Sequence, residues 1–356
     1  MNEIVDKIKR LRQGTQKGRR HLMKEQLDHP VSFWTKKDRL LKETGREFTI
    51  ILKTKGCSWA LSESGGCSMC GYIQDASIEG VSATQIMNQF DYALNNKITE
   101  ISQASESFIL KIFNSGSFFD DTEISEKARR YIYEKISNLK NIKEFVIESR
   151  CEYITPEKLL ELTEFLDKKY VEVAIGLETV DDYIRNNYIN KGILFNDFKE
   201  SLKICQEYGI GVRSYLLFKP PFLNEQAAID DCSQSLKKLI NLKVNSISIN
   251  PMNIQRKTLV EKLWFQGRYR PPWFYSLFKC LKKSLKQTDL SHVRILCDPS
   301  GAGSRRGIHN CLNKECEESS KSVLNNFILN QNLNALEENI FECKCKKKYQ
   351  LQKNYL

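Results

Sequence analysis

The chain has 356 residues, 55 Lys or Arg against 44 Asp or Glu, a formal charge of +11 and 12 cysteines. That length buries one large core plus a small appendage, and no apolar run is long enough to cross a bilayer, which excludes a helical membrane protein and a membrane partner. The cationic surplus favours a polyanionic partner, and a charged N-terminus without an apolar segment (MNEIVDKIKRLRQG) predicts no signal peptide, hence a reducing, cytoplasmic setting in which thiols serve metals or catalysis.

Residues 1–47 read as a basic helical N-terminal extension, with 13 Lys or Arg against 7 Asp or Glu. From Phe48 strands and helices alternate. The strands are FTIILKTK (48–55), FILKIFN (108–114), EFVIES (144–149), VEVAIGLE (171–178), GVRSYLLF (211–218) and VNSISIN (244–250). Helical stretches such as NDFKESLKICQEYG lie between them, the last closing on Gly209 as a C-cap. Six such βα units predict an α/β fold, a partial (βα)6 TIM-like barrel over 48–252.

The first strand runs into GCSWALSESGGCSMCGY, which carries Cys57, Cys67 and Cys70 at the end of a strand where α/β barrels place their chemistry. Three closely spaced thiolates leave one iron of a four-iron cubane open to a small ligand such as S-adenosylmethionine (SAM). Zinc is the alternative on spacing alone, with a fourth ligand from elsewhere in the chain.

Residues 253–286 hold nine basic residues, one acidic residue and the rings of Trp264, Phe265, Tyr269, Trp273, Phe274, Tyr275 and Phe278. Cations interleaved with rings suit looped RNA, charge for phosphate and rings for splayed bases. The competing reading is an amphipathic helix whose aromatics are core. Residues 253–298 thus form a basic aromatic extension on the barrel, ending in a strand at 292–298. The loop PSGAGSRRGIHN then offers Ser304, Arg305 and Arg306 for a phosphate or carboxylate, or else is a solvated turn. Over 299–356 the region is cysteine-rich. Cys311, Cys316, Cys343 and Cys345 suit a closed structural Zn2+ site, with His309 as an alternative ligand or a substrate contact, against the plainer reading of four buried thiols. A second iron–sulfur cluster is a lesser alternative. Cys151, Cys205, Cys232, Cys280 and Cys297 are isolated and read as packing residues.

Cys57, nine residues, Cys67, two residues and Cys70 resemble the long-spaced radical-SAM signature of the elongator catalytic-subunit type. Within that superfamily GCSWALSESGGCSMCGY, SGSFFD, LLFKPPF, RRGIHNC and the late CKC are similar to the archaeosine synthase beta-subunit family, from about residue 30 onward. One departure is Ile308, where the resemblance leads to proline. The resemblance implies a [4Fe–4S] cluster on Cys57, Cys67 and Cys70, with SAM on the open iron. It places Ser115, Gly116 and Ser117 at the methionine end of SAM, Gly71 and Tyr72 against adenine, and Glu148, Arg150 and Glu178 at the mouth to meet ribose, ammonium or carboxylate. Arg213 and Lys219 are weaker candidates for SAM or substrate, as is Arg305, Arg306 or His309 for substrate. The implied substrate is a tRNA whose D-loop carries a lysine-modified 7-cyano-7-deazaguanine. A partner alpha subunit attaches the lysine, an electron donor feeds the cluster, and cleavage of a carbon–nitrogen bond leaves archaeosine. Two other readings stand beside this one: a radical-SAM enzyme for a small molecule or protein, and a zinc-stabilised RNA-binding protein without catalysis.

Overall fold

The computed structural model describes residues 3–17, 22–77, 79–337 and 341–355. Eight strands form one sheet in chain order: β1 (Ser32–Arg39), β2 (Thr44–Ile51), β3 (Phe108–Phe113), β4 (Ile142–Glu148), β5 (Tyr170–Glu178), β6 (Gly211–Phe218), β7 (Ser246–Pro251) and β8 (Arg294–Leu296). β1 is antiparallel to β2, and every later neighbour is parallel. The helices are α1 (Glu3–Lys17), α2 (Lys24–Leu27), α3 (Ser58–Leu61), α4 (Ala83–Gln103), α5 (Glu126–Ser137), α6 (Pro156–Leu166), α7 (Phe195–Glu207), α8 (Glu225–Asn241), α9 (Leu259–Phe265), α10 (Phe274–Ser284), α11 (Lys314–Asn330) and α12 (Cys345–Gln352).

The sheet curls. Arg294 on β8 reaches Glu144 on β4, Glu172 on β5 and the Arg39 carbonyl at the end of β1, which a flat sheet forbids. Alternate residues of the strands face opposite sides. Phe108, Leu110 and Ile112 of β3 pack outward with Phe90 of α4 and Ile132 of α5 in the main core. Ile109, Val146, Ala174, Leu40 and the half-buried Tyr215 form a separate apolar layer inside the barrel.

The N-terminal extension is helical only in part. Ser32–Arg39 is a strand, paired with β2 through a turn in which the Leu40 amide donates to the Glu43 carbonyl. Its sequence, SFWTKKDR, hides the strand because an edge strand carries lysines that blunt unwanted pairing. β2 accordingly starts four residues before Phe48, and Lys53–Lys55 belongs to the loop that follows. The strand expected at 292–298 is present, shorter, as the parallel neighbour of β7.

α1 lies over the barrel mouth. Ile8 is buried and, with Ile4 and Leu11, packs on Ile189, Leu217, Met252 and Ile254 at the C-terminal ends of the strands. The same apolar group includes Cys67 and Met69 of the cysteine loop. Among the described residues, no helix is long and apolar enough to cross a membrane.

Candidate active site and thiol clusters

The cysteine loop leaves β2 at the mouth. Cys57, Cys67 and Cys70 are all half-buried. The turn after β5 clamps the loop: the Ser68 amide donates to Ile189 O at 2.8 Å and its hydroxyl to Tyr188 O at 2.8 Å. Asn190, held at φ 60°, donates to Gly66 O at 2.8 Å, and Trp59 Nε1 donates to Asn190 O at 2.8 Å. The Arg150 guanidinium lies 5.1 Å from the centre of the Trp59 ring, and Arg150 and Lys191 both feel the charge of Cys67.

The serine–glycine segment after β3 lies against this loop. A Cβ at Gly116 would stand 2.7 Å from Cys57 Cα and 1.9 Å from Glu123 Oε1, so the close approach requires glycine. Ser115 Oγ donates to Tyr72 O at 3.2 Å, and Ser117 Oγ accepts from the Arg150 amide at 3.1 Å. Glu123 ties these pieces together. It accepts from the Ser117 amide at 2.9 Å, Thr54 Oγ1 at 2.8 Å and Asn114 Nδ2 at 2.8 Å. Burial pushes its carboxyl above the usual range, against those hydrogen bonds. No spacing in the sequence marks Glu123 apart from the neighbouring Asp120 and Asp121.

Glu148 and Glu178 end β4 and β5 on the inner face. Burial pushes the Glu148 carboxyl up to about 7; Tyr215, Lys191 and Arg213 oppose the rise and Glu178 adds to it. Glu178 accepts from Lys191 Nζ at 2.8 Å, and Lys191 is a mouth residue that the sequence reading missed inside an ordinary NKG turn. Gly71 donates its amide to Gln255 Oε1. Gly71 and Tyr72 line a cavity of about 520 Å³ whose other walls include Gln255, Arg256, Ser304 and Arg306, within the range of small-molecule sites.

Below the mouth, the floor of the barrel is charged. Lys111 on β3 lies 2.6 Å from Asp38 of β1 and also meets Glu47 of β2. Glu172 accepts from Arg213 Nε and Arg294 Nη2, each at 2.9 Å, and from Ser246 Oγ at 2.6 Å. Arg213 is therefore spent on Glu172 at the floor rather than presented at the mouth, because it comes early in β6. Lys219 is also withdrawn. It is 1% exposed, lies 2.6 Å from Glu225 and donates to Arg270 O at 2.9 Å, inside the protein rather than facing a substrate.

The 253–286 segment uses most of its rings for packing. Tyr269, Trp273, Phe274 and Phe278 are buried, Trp264 and Tyr275 half-buried, and Phe265 alone among the seven is exposed. The amphipathic reading holds there, since α10 turns its rings against α8 and leaves its lysines to solvent. In the following loop Arg305 is exposed, while Arg306 pairs with Glu261, donates to Ile254 O at 2.8 Å and lies 4.9 Å from the Trp264 ring centre. His309 is buried, its Nδ1 donating to Gly307 O at 2.8 Å. Burial lowers its pKa to about 4, with Arg270 adding to the fall.

The four late cysteines do converge. Cys311 Sγ lies 3.7 Å from Cys343 Sγ and Cys316 Sγ 3.9 Å from Cys345 Sγ, with all four sulfurs within 4.8 Å of one another. A tetrahedral ion with metal–sulfur bonds of about 2.3 Å holds its sulfurs about 3.8 Å apart, so the set fits one such ion without His309. At the mouth, three thiols suit a four-iron cubane, which takes each thiolate on a separate iron and leaves a fourth iron open, whereas structural zinc is closed by four ligands. The five remaining cysteines are buried.

Residues 51–234 match the family model of the Radical SAM superfamily. Over 321 residues the chain is 36% identical to archaeosine synthase subunit beta of Methanosarcina acetivorans, covering 90% of this chain and 88% of that protein. Over 326 residues it is 36% identical to archaeosine synthase subunit beta of Thermococcus kodakarensis, covering 92% and 98%. An uncharacterized protein of Methanocaldococcus jannaschii is 38% identical over 355 residues, covering 97% and 93%. With a three-thiol loop at the mouth of a parallel open barrel and such relatives along nearly its whole length, the chain belongs to the archaeosine synthase subunit beta family of the radical SAM superfamily.

Proposed function

We propose that this chain is the radical-SAM subunit that completes archaeosine in tRNA, cleaving a carbon–nitrogen bond in the lysine adduct of 7-cyano-7-deazaguanine in the D-loop. Near full-length identity with two proteins named archaeosine synthase subunit beta carries the reading. An alpha subunit that attaches the lysine and a cytoplasmic electron donor complete the system.

The family uses a [4Fe–4S] cluster and SAM. Cys57, Cys67 and Cys70 are the residues that would hold the cluster. When bound, the pair supplies one-electron opening of the sulfonium and a carbon radical that takes a hydrogen atom from the substrate. The chain contributes position and shelter. Glu123 fixes the Ser115–Ser117 backbone against the cysteine loop, Arg150 and Lys191 supply positive charge beside the thiols, and Gly71 and Tyr72 wall the neighbouring cavity. Glu148 and Glu178 present carboxylates for an ammonium or ribose hydroxyls. α1 closes the mouth to water, which shields a radical from side reactions. The four late cysteines hold a structural zinc ion.

Anaerobic reconstitution with iron and sulfide, followed by electron paramagnetic resonance with and without SAM, tests the first half. A reduced-cluster signal that SAM shifts and that Cys57→Ala removes is the expected result. Incubation with tRNA carrying the lysine adduct, then mass spectrometry of its nucleosides, tests the second half. Archaeosine is expected, whereas 5′-deoxyadenosine without archaeosine would refute the substrate and leave the radical chemistry standing.

A further inference from the structure

Phe265 is the one exposed ring of the 253–286 segment, but a linked group of rings at the barrel mouth and a lysine-rich helix lie outside it. Tyr183 and Phe222 are 63% and 44% exposed. Tyr188 stands between them, its ring 5.7 Å from that of Tyr183 and 5.3 Å from that of Phe222, edge to face in both cases. These rings come from the turns after β5 and β6, at the barrel mouth. The Tyr188 carbonyl itself holds Ser68 of the cysteine loop. Phe222 sits at φ 71°, a left-handed backbone that a residue with a side chain adopts at a cost.

Two residues beyond Phe222, Asn224 Nδ2 donates to Asn354 O at 2.8 Å, and the Gln226 amide donates to Lys353 O at 3.0 Å. The C-terminal arm therefore runs against the Phe222 loop. Its helix α12 buries Cys345 and Tyr349, the latter 5.7 Å from the Trp273 ring and 5.4 Å from the Tyr275 ring. Lys344, Lys347 and Lys348 stand at i, i+3 and i+4 on one exposed face, with Lys346 exposed beside them. Among the described residues, none of the four forms an ion pair. A run of lysines alone is an ordinary solvated face. A linked group of three rings at the entrance to a reaction site, two exposed and Tyr188 half-buried, on a loop that the same C-terminal arm touches at residues 353 and 354, is not.

We propose that the Tyr183–Tyr188–Phe222 ladder and the α12 lysines form one docking face for the single-stranded loop of an RNA substrate, the rings stacking on splayed bases and the lysines meeting phosphates. This rests on the tRNA reading above and adds where the RNA lies. The run of four lysines beside no acidic residue of α12 is the charge complement of a phosphate backbone, and alpha-subunit binding is the competing outcome of the test.

The test is binding of an in vitro transcribed tRNA, followed by fluorescence anisotropy between about 50 and 200 mM salt. Changing Lys344→Gln, Lys347→Gln and Lys348→Gln together lowers affinity about 10-fold or more. It also flattens the slope of log affinity against log salt by about 2, the value for three single-strand phosphate contacts. A matched variant, Lys140→Gln with Lys168→Gln and Lys203→Gln, removes the same charge from exposed positions at the other end of the barrel and shifts affinity less than about twofold. Tyr183→Ala with Phe222→Ala weakens binding about 10-fold while keeping the salt slope. Equal losses in the two lysine variants would overturn the docking face and leave tRNA binding intact. Salt-independent or absent binding by the unaltered protein would overturn the tRNA reading, and the face with it. Loss of alpha-subunit binding in the first lysine variant, with tRNA binding unchanged, would reassign the face to a protein.

Discussion

Gly116 has the least room of the described glycines, wedged between Cys57 and Glu123. Gly116→Ala is expected to cost about 1–3 kcal/mol, the usual penalty of overpacking, and to lower iron uptake by displacing the cysteine loop. Thermal melting and iron content after reconstitution check both. Glu148 makes a pH-dependent contribution of definite sign. Its carboxyl rises from an ordinary 4.5 to about 7. Below 4.5 both the folded and unfolded chains carry the proton. Between 4.5 and about 7 only the folded chain keeps it, so stability falls as pH rises, and the loss is complete above that window. Glu148→Gln therefore matches the parent at about pH 4 and exceeds it by about 1–3 kcal/mol at about pH 8, in urea melts at the two values. The placement of the cysteines, the Ser115–Ser117 segment and both strand-end carboxylates at the mouth was legible because strand termini and short motifs are local. Glu123, Lys191 and Gln255 were not, because each acts through partners distant in sequence.

The elements were legible where their period was plain. All six expected barrel strands are present, and β1 escaped because its lysines made an edge strand look like solvated helix. The 253–286 segment shows the converse: its composition resembled an RNA-binding surface, but the helical spacing of its rings decided for core. At the C-terminus two short cysteine spacings, about thirty residues apart in sequence (29 and 32 residues between paired sulfurs), close on one point. The arm at 341–355 rests on that point and on Tyr349. Cys345→Ser is expected to abolish metal binding at the four-cysteine site and to release the arm, because a structural metal supplies folding energy directly. Hydrogen exchange should then rise at 311–316 and 341–355 and stay unchanged in β3–β6. Faster exchange throughout the barrel would contradict a local staple.

At the scale of the molecule, the charged floor joins strands that the hydrogen-bond ladder keeps apart. Burial pushes Glu172 up, yet Arg294 and Arg213 outweigh it and hold the carboxyl at about 2. Its stabilisation is full above the ordinary 4.5 and drains away as pH falls toward 2. Glu172→Gln leaves two buried guanidiniums short of a counter-charge and should cost about 3–5 kcal/mol in denaturant melts. A loss below about 1 kcal/mol would mean that Glu144 and Ser246 suffice for Arg294 and that Arg213 finds its counter-charge elsewhere.

β1 and β8 share no ladder. The gap between them is bridged by Arg294 to the Arg39 carbonyl and by Lys36 to Asp298, while Arg39 and Thr44 both donate to Leu329 O at the end of α11. Arg39 and Leu329 are 290 residues apart. At a ribosome's pace of about 5–20 residues per second, roughly 15–60 s separate the appearance of β1 from that of its cover. Throughout that interval the growing polypeptide exposes a bare sheet margin, and Lys36 and Lys37 are what keep a second nascent copy from adding to it.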